Sequence, residues 1–135
     1  MPENPVFIST IVSTELTEEI AKEFGVDVLN VLTGFKYIGE KMYEFERLGT
    51  GNFLYGFEES YGYLADTFVR DKDGVIASVL CSLLVKYAIG AYGSILGYLH
   101  YLYDKYGMYQ EYLKSFYLKG VGSGKDQGVD AGSQG

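Results

Sequence analysis

The order apolar strand, amphipathic helix, apolar strand between Val6 and Leu32 constrains the fold of this chain most. From Val6 to Val12 both alternating sets are largely apolar, Val6, Ile8, Thr10 and Val12 against Phe7, Ser9 and Ile11. Such a segment suits a strand covered on both faces. Thr14 is placed to cap a helix whose first turns carry Glu15, Glu18 and Glu19, favourable at the positive end of the helix dipole. Leu16, Ile20 and Phe24 form its expected buried stripe, and Gly25 ends it. Val26 to Leu32 reads as a second apolar strand. Two strands joined through a helix at this spacing make a parallel, right-handed βαβ unit.

The alternation continues. Thr33 is placed to cap a further helix, with Phe35, Ile38, Met42 and Phe45 on one face and Glu40, Lys41, Glu44 and Arg47 on the other. Gly49 and Gly51 break the chain before a strand over Phe53 to Phe57, and a short extended piece at Thr67 to Val69 is the expected fourth strand. Asp71 or Asp73 starts a long helix to about Ala91, and Ser94 starts another that runs to Tyr106 and stops at Gly107. Strands alternating with helices place the chain in the α/β class, as a three-layer α/β/α sandwich. Sites in such sheets collect at the carboxyl ends of the strands. Thr33-Gly34 and Glu58-Glu59-Ser60 each follow a strand, so they are expected on one rim.

Composition narrows the function classes. At 135 residues the chain is the size of one domain with a real core. A formal net charge of −7 argues against a nucleic-acid surface, which needs a basic stripe. The single cysteine, Cys81, cannot form an internal disulfide and reads as a small buried hydrophobe in a reducing compartment. Met1-Pro2-Glu3-Asn4-Pro5 lacks the basic and apolar regions of a signal peptide, so cytoplasm is the expected compartment. From Val75 to Tyr103 the chain is apolar, with Lys86 and His100 the only basic groups. That length could span a bilayer, yet Lys86 near its middle would cost about 2.5–3.5 kcal/mol there. Gly90, Gly93 and Ser94 punctuate it, and it reads as two helices of a buried core.

The chemistry-bearing residues cluster in one place. Gly56-Phe57-Glu58-Glu59-Ser60-Tyr61-Gly62 sets two carboxylates and a hydroxyl between glycines, with Arg70 and Lys72 close behind. Vicinal carboxylates accept paired hydrogen bonds from neighbouring hydroxyls and cations meet phosphate, which suits a phosphorylated sugar. By pattern alone, the same residues also fit a solvated surface loop. Lys72 fits a surface lysine pairing with Asp71 or Asp73 equally well. Thr33 and Gly34 offer a hydroxyl and a backbone N–H at a helix start, either an anion seat or a plain cap. Lys36 reads as solvated, and Tyr61 as packing rather than stacking on a sugar. His100 is the only histidine, which excludes His-rich metal ligation, and it reads as partly buried among tyrosines. The run Tyr98, Tyr101, Tyr103, Tyr106, Tyr109, Tyr112 reads first as aromatic packing and second as a partner surface. No nucleophile–base pair, P-loop or dinucleotide fingerprint occurs.

These motifs carry a resemblance. Gly56 to Gly62, then Phe68-Val69-Arg70-Asp71-Lys72-Asp73-Gly74, is similar to the sugar-recognition loop of the phosphoglucomutase/phosphomannomutase (α-D-phosphohexomutase) family. Leu32-Thr33-Gly34-Phe35-Lys36 resembles a segment of the same family's third domain. Order and spacing agree over about residues 5–119, and the Glu-Glu-Ser-Tyr form looks closest to bacterial α-phosphoglucomutases. The resemblance implies a four-stranded mixed sheet with helices on both faces. It implies that Glu58 and Ser60 hold sugar hydroxyls, with Glu59 supporting the loop or helping to bind. Lys72 falls where some family members place a lysine near the reacting hydroxyl, to exchange a proton or stabilise phosphoryl charge. Arg70 serves the same rim.

The resemblance also marks what lies elsewhere. Family mutases transfer phosphate through a serine in a first domain, hold Mg²⁺ on an Asp-rich loop of a second, and grip the substrate phosphate with a fourth. None of these motifs occurs in this sequence, so no cofactor is expected on this chain and the chain alone is expected not to turn over hexose phosphates. The segment Val79 to Tyr103 is more apolar than the family pattern, which suits excess packing, self-association or contact with the remaining mutase domains. Two function classes follow, a sugar-recognition domain of a phosphohexomutase and a stand-alone structural or protein-interaction module. Residues 1–119 form the expected domain. Tyr112 to Leu118 reads as a further strand, and Gly120 to Gly135 as a disordered Gly/Ser-rich tail.

Overall fold

The first βαβ unit forms as its pattern requires. In the computed structural model, which describes residues 2–112 and 114, strand β1 (Pro5–Thr10) leads through helix α1 (Leu16–Glu23) to strand β2 (Asp27–Val31). The two strands pair in parallel, Val6 opposite Asp27 and Thr10 opposite Val31. Helix α2 (Phe35–Leu48) crosses back to β3 (Asn52–Glu58), parallel to β1 on its other edge, and β4 (Gly62–Ala65) returns antiparallel. Among the described residues these strands form one mixed four-stranded sheet in the order β2-β1-β3-β4. Crossovers of the same hand that run in opposite directions along the sheet, β1 to β2 and then β2 to β3, must lie on opposite faces, which gives the three layers. Helices α3 (Gly74–Tyr92) and α4 (Ile95–Tyr106) complete the described chain on the α1 face, α3 against β4 and α4 against α1.

The α2 face holds the tight core. The expected stripe Phe35, Ile38 and Met42 is buried against Val6, Ile8, Phe53 and Leu64, with Phe45 partly buried. Packing is close enough that Gly56 leaves no room for a side chain, since a Cβ there would meet Ile38 Cγ2 at 2.9 Å. The opposite face carries an aromatic row, Phe7, Tyr55 and Phe57, whose neighbouring rings lie 6.1 and 5.8 Å apart. Its cover is looser. A space of about 490 Å³ lies between Tyr55, Tyr63 and the Leu80 and Leu84 side of α3, and one of about 370 Å³ beside Ile20 of α1. Burial raises the Tyr55 hydroxyl pKa to about 12.

Several expectations fail, each for a physical reason. The fourth strand is Gly62–Ala65, not Thr67 to Val69, because the tight turn after Glu58 pairs Glu58 with Gly62 directly, and Asp66 at φ 88° then ends the ladder. β1 stops at Thr10, leaving Ile11 and Val12 exposed, and Phe24 is exposed rather than in the α1 stripe. Glu15, not Thr14, is the N-cap residue of α1, although the Thr14 hydroxyl accepts the Leu16 N–H at 3.3 Å. Thr33 does not cap α2, whose N-cap is Gly34 with no side-chain cap.

The largest correction concerns α3 and α4. Their ends fall as expected, with Asp73 accepting the Ile76 N–H at 2.7 Å and Ser94 accepting the Gly97 N–H at 2.9 Å. The helices are not buried core. Apolar residues surround α3, but a sheet can cover only one side of it, so Val75, Val79, Leu83 and Tyr87 face outward with Val75 75% exposed. Cys81 and His100 are exposed too, against the expectation of burial. At 19 residues and a mean hydropathy of 1.8, α3 is long and apolar enough to cross a membrane by length and composition alone. Tyrosines tie the two helices together, Tyr92 and Tyr101 with ring centres 4.7 Å apart, and Tyr87 and Tyr98 at 5.6 Å. The expected strand Tyr112 to Leu118 falls almost wholly outside the described residues, and the expected tail Gly120 to Gly135 entirely so.

Candidate functional site

Three parallel strands end on one edge of the sheet, and the polar residues that follow them line that edge. β1 delivers Thr10 and Ser13, β2 delivers Thr33 and Gly34, and β3 delivers Glu58, Glu59 and Ser60. Because β1 lies between β2 and β3, the Thr33 and Glu58 segments stand about 10 Å apart, two inter-strand spacings.

Glu58 is the last residue of β3 and shares the α2 face with Gly56, so its side chain turns into the protein and is only 5% exposed. Gly62 makes room for it, because a Cβ there would stand 2.5 Å from Glu58 Oε1. Lys72 reaches back from the loop before α3 and donates to that oxygen at 2.6 Å. This pairing, and not one with Asp71 or Asp73, is the partnership of the Lys72 side chain; Asp71 accepts the Lys72 backbone N–H and Asp73 caps α3. The hydrogen bond and charge of Glu58 raise the Lys72 pKa.

Glu59 and Ser60 occupy the exposed turn between β3 and β4. Thr10 Oγ1 donates to Glu59 Oε2 at 2.8 Å, and Ser60 donates to Glu59 Oε1 at 3.4 Å. The Thr10 bond, foremost, lowers the Glu59 pKa. Tyr61 follows at φ 59° and 89% exposed, so it does not pack as expected. Gly34 opens α2 at φ 108°, a conformation that side-chain-bearing residues avoid, and no acidic residue occupies the first turn of α2. Its leading N–H groups and dipole therefore favour an anion.

Arg70 lies apart from this rim. It pairs with Glu46 and stacks over the Tyr43 ring at 5.0 Å, well along α2. The structure thus gathers Glu58, Glu59, Ser60 and Lys72 directly, sets Thr33 and Gly34 on the same edge, and ties Arg70 elsewhere. Thr10 and Ser13 were not singled out from the sequence, where Thr10 reads as one more residue of an apolar strand. A run of hydroxyl residues at the end of a central parallel strand is the signal that marks them. Among the described residues no group of three His, Cys, Asp or Glu side chains is placed to hold a metal ion.

Comparisons with known proteins agree with this fold. Residues 1–104 match the family model described as phosphoglucomutase/phosphomannomutase, alpha/beta/alpha domain III. The chain is 38% identical over 119 residues to a phosphoglucomutase of Staphylococcus aureus (strain bovine RF122 / ET3-1), covering 86% of this chain and 21% of that protein. It is 45% identical over 87 residues to a phosphoglucomutase of Staphylococcus haemolyticus (strain JCSC1435), covering 64% of this chain and 15% of that protein. The chain thus spans about a fifth or less of the length of these curated relatives. A crystal structure from Thermus thermophilus assigned as a phosphomannomutase superposes with a TM-score of 0.58 at 22% identity, over 78% of this chain and 22% of the other, a likeness of fold.

Proposed function

The chain belongs to the phosphoglucomutase/phosphomannomutase family as its α/β/α domain III, and on that premise we propose that the strand-end rim recognises the sugar of a hexose phosphate. The observation that carries the reading is the buried Glu58 carboxylate held by Lys72 at 2.6 Å at the carboxyl end of β3. A carboxylate at a rim costs desolvation, and here one oxygen is committed to Lys72 while the other can accept from a sugar hydroxyl. Ser60 adds a second hydroxyl contact. Lys72, its pKa raised by Glu58, stays protonated at neutral pH and suits a cation facing phosphoryl charge better than a proton acceptor. Thr33 and Gly34, at the open end of α2, supply the anion side. Arg70 joins only by leaving Glu46 and Tyr43.

In this reading the domain selects the sugar during glucose 1-phosphate to glucose 6-phosphate conversion, and the remaining mutase domains supply serine, metal and phosphate grip. It works in the cytoplasm, with residues 1–119 of this chain as one domain of a larger enzyme. Glucose 1-phosphate titrated into the chain by calorimetry is expected to bind weakly, and Glu58→Ala to abolish that binding. A coupled assay of contaminant-free chain is expected to show no turnover. Undiminished binding by Glu58→Ala removes the reading, and Mg²⁺-dependent turnover would overturn the division of labour.

A second reading rests on the outward apolar side of α3, which suits a stand-alone interaction module or self-association. It requires an oligomer whose stability depends on that face, whereas the first requires none.

A further inference from the structure

We propose that Thr10 is a positioning residue of the sugar-phosphate site, holding the Glu59 carboxylate through a one-way chain of hydrogen bonds that runs Ser13, Thr10, Glu59. Its part in ligand binding rests on the reading of the rim as a hexose-phosphate site; the chain of hydrogen bonds stands without it.

Proton counting sets the direction. Thr10 is the last residue of β1, 1% exposed, and its Oγ1 lies 2.8 Å from Glu59 Oε2 and 2.8 Å from Ser13 Oγ. A hydroxyl has one proton, and an ionised carboxylate only accepts. Thr10 therefore gives its proton to Glu59, and Ser13 must donate to Thr10. Ser60 donates to the other Glu59 oxygen at 3.4 Å, which leaves the Ser60 oxygen free to accept from a ligand hydroxyl. Glu59 is thus bonded through both oxygens, one to the central strand and one to its own loop. It acts as a strut, while its neighbour Glu58 faces Lys72 on the inner side.

The strut has mechanical work to do. The turn Glu59–Tyr61 projects beyond the β3–β4 ladder, whose last pair is Glu58 with Gly62, and it holds Tyr61 at a positive φ. Such a turn drifts unless tied to something rigid. β1, paired on both edges with β2 and β3, offers such an anchor. The charged group beside Glu59 is Lys72, which adds to the lowering of its pKa that Thr10 leads.

The test is a carboxyl-carbon NMR titration of Glu59 in the full chain, paired with glucose 1-phosphate binding. Thr10→Val keeps the shape and removes the proton, so the Glu59 pKa is expected to rise and the affinity to fall about tenfold. Thr10→Ser restores the donor and is expected to restore both. A folded Thr10→Val whose Glu59 titrates as in the wild type overturns the proposal. Should Thr10→Val not fold, the wild type decides, because a Glu59 that titrates at or above the ordinary 4.5 has no such donor. If wild type binds no glucose 1-phosphate, the sugar-site reading falls while the Glu59 titration still decides the strut.

Discussion

Gly62 gives Glu58 its place. A methyl at that position would stand 2.7 Å from Glu58 Cγ as well as 2.5 Å from Oε1, so the whole side chain must move. Gly62→Ala is expected to cost about 1–3 kcal/mol of stability and to weaken hexose-phosphate binding with it. Urea unfolding and a binding titration read the two together. Normal binding in the variant would mean that Glu58 does not act from this seat. At Gly34, φ 108° makes any side chain strained, and Gly34→Ala is expected to lose about 1–3 kcal/mol. At this scale the sequence shows the reactive types but not their partners. The carboxylates, Ser60 and Lys72 are legible because the motif is local. The Thr10–Glu59 bond joins residues 49 positions apart. The Lys72 partner was hidden by Asp71 and Asp73, nearer in sequence but committed to backbone N–H groups.

Among the elements, the buried face of α2 was readable because its apolar residues keep one helical stripe, although its cap was not. Ile38 is at its centre with no exposed surface, and Ile38→Ala is expected to destabilise the fold by about 2–5 kcal/mol in chemical denaturation. In α3 the apolar residues run all round, so no pattern told which side would meet the sheet. The placement of α4 depends on a polar tether that sequence distance concealed. Glu23 at the end of α1 accepts from Lys105 Nζ at 2.6 Å and from the Tyr106 hydroxyl at 2.5 Å. The Lys105 hydrogen bond, then that of Tyr106, lowers the Glu23 pKa, and the same contact raises that of Lys105. The Glu23 contribution is therefore full above its ordinary value of 4.5 and is lost as pH falls through its lower folded value. The Lys105 contribution is full below 10.5 and is lost as pH rises through its higher folded value. The tether holds across the neutral range. Tyr106 ring resonances are expected to broaden or shift on acidification below the ordinary glutamate range, and Glu23→Gln to remove that acid step. An unchanged acid step in Glu23→Gln would show that α4 is held otherwise.

Taken whole, the molecule has one face packed for permanence and one that is not. The α2 layer is tight; the α1, α3 and α4 layer leaves space over Tyr55 and turns Val75, Val79, Leu83 and Tyr87 to solvent. An apolar stripe of that length on a small domain favours association. Val79→Glu with Leu83→Glu is expected to keep the fold, since neither side chain is buried, and to abolish any concentration-dependent sedimentation of the parent. A parent that sediments as a monomer at all concentrations would remove self-association. The α/β class and its three layers were legible because βαβ order and handedness leave few alternatives, whereas the exposure of α3 and α4 was not, because apolar composition reports what a residue prefers and not what is present to cover it.

The central claim is that the carboxyl ends of β1, β2 and β3 form one sugar-phosphate rim. Amide and side-chain NMR shifts mapped at saturating glucose 1-phosphate test it most directly. The largest shifts are expected at Thr10, Gly34, Glu58, Ser60 and Lys72, with inorganic phosphate moving only Gly34 and Lys72. Shifts confined to α3 and α4, or identical for phosphate and the sugar phosphate, would contradict it.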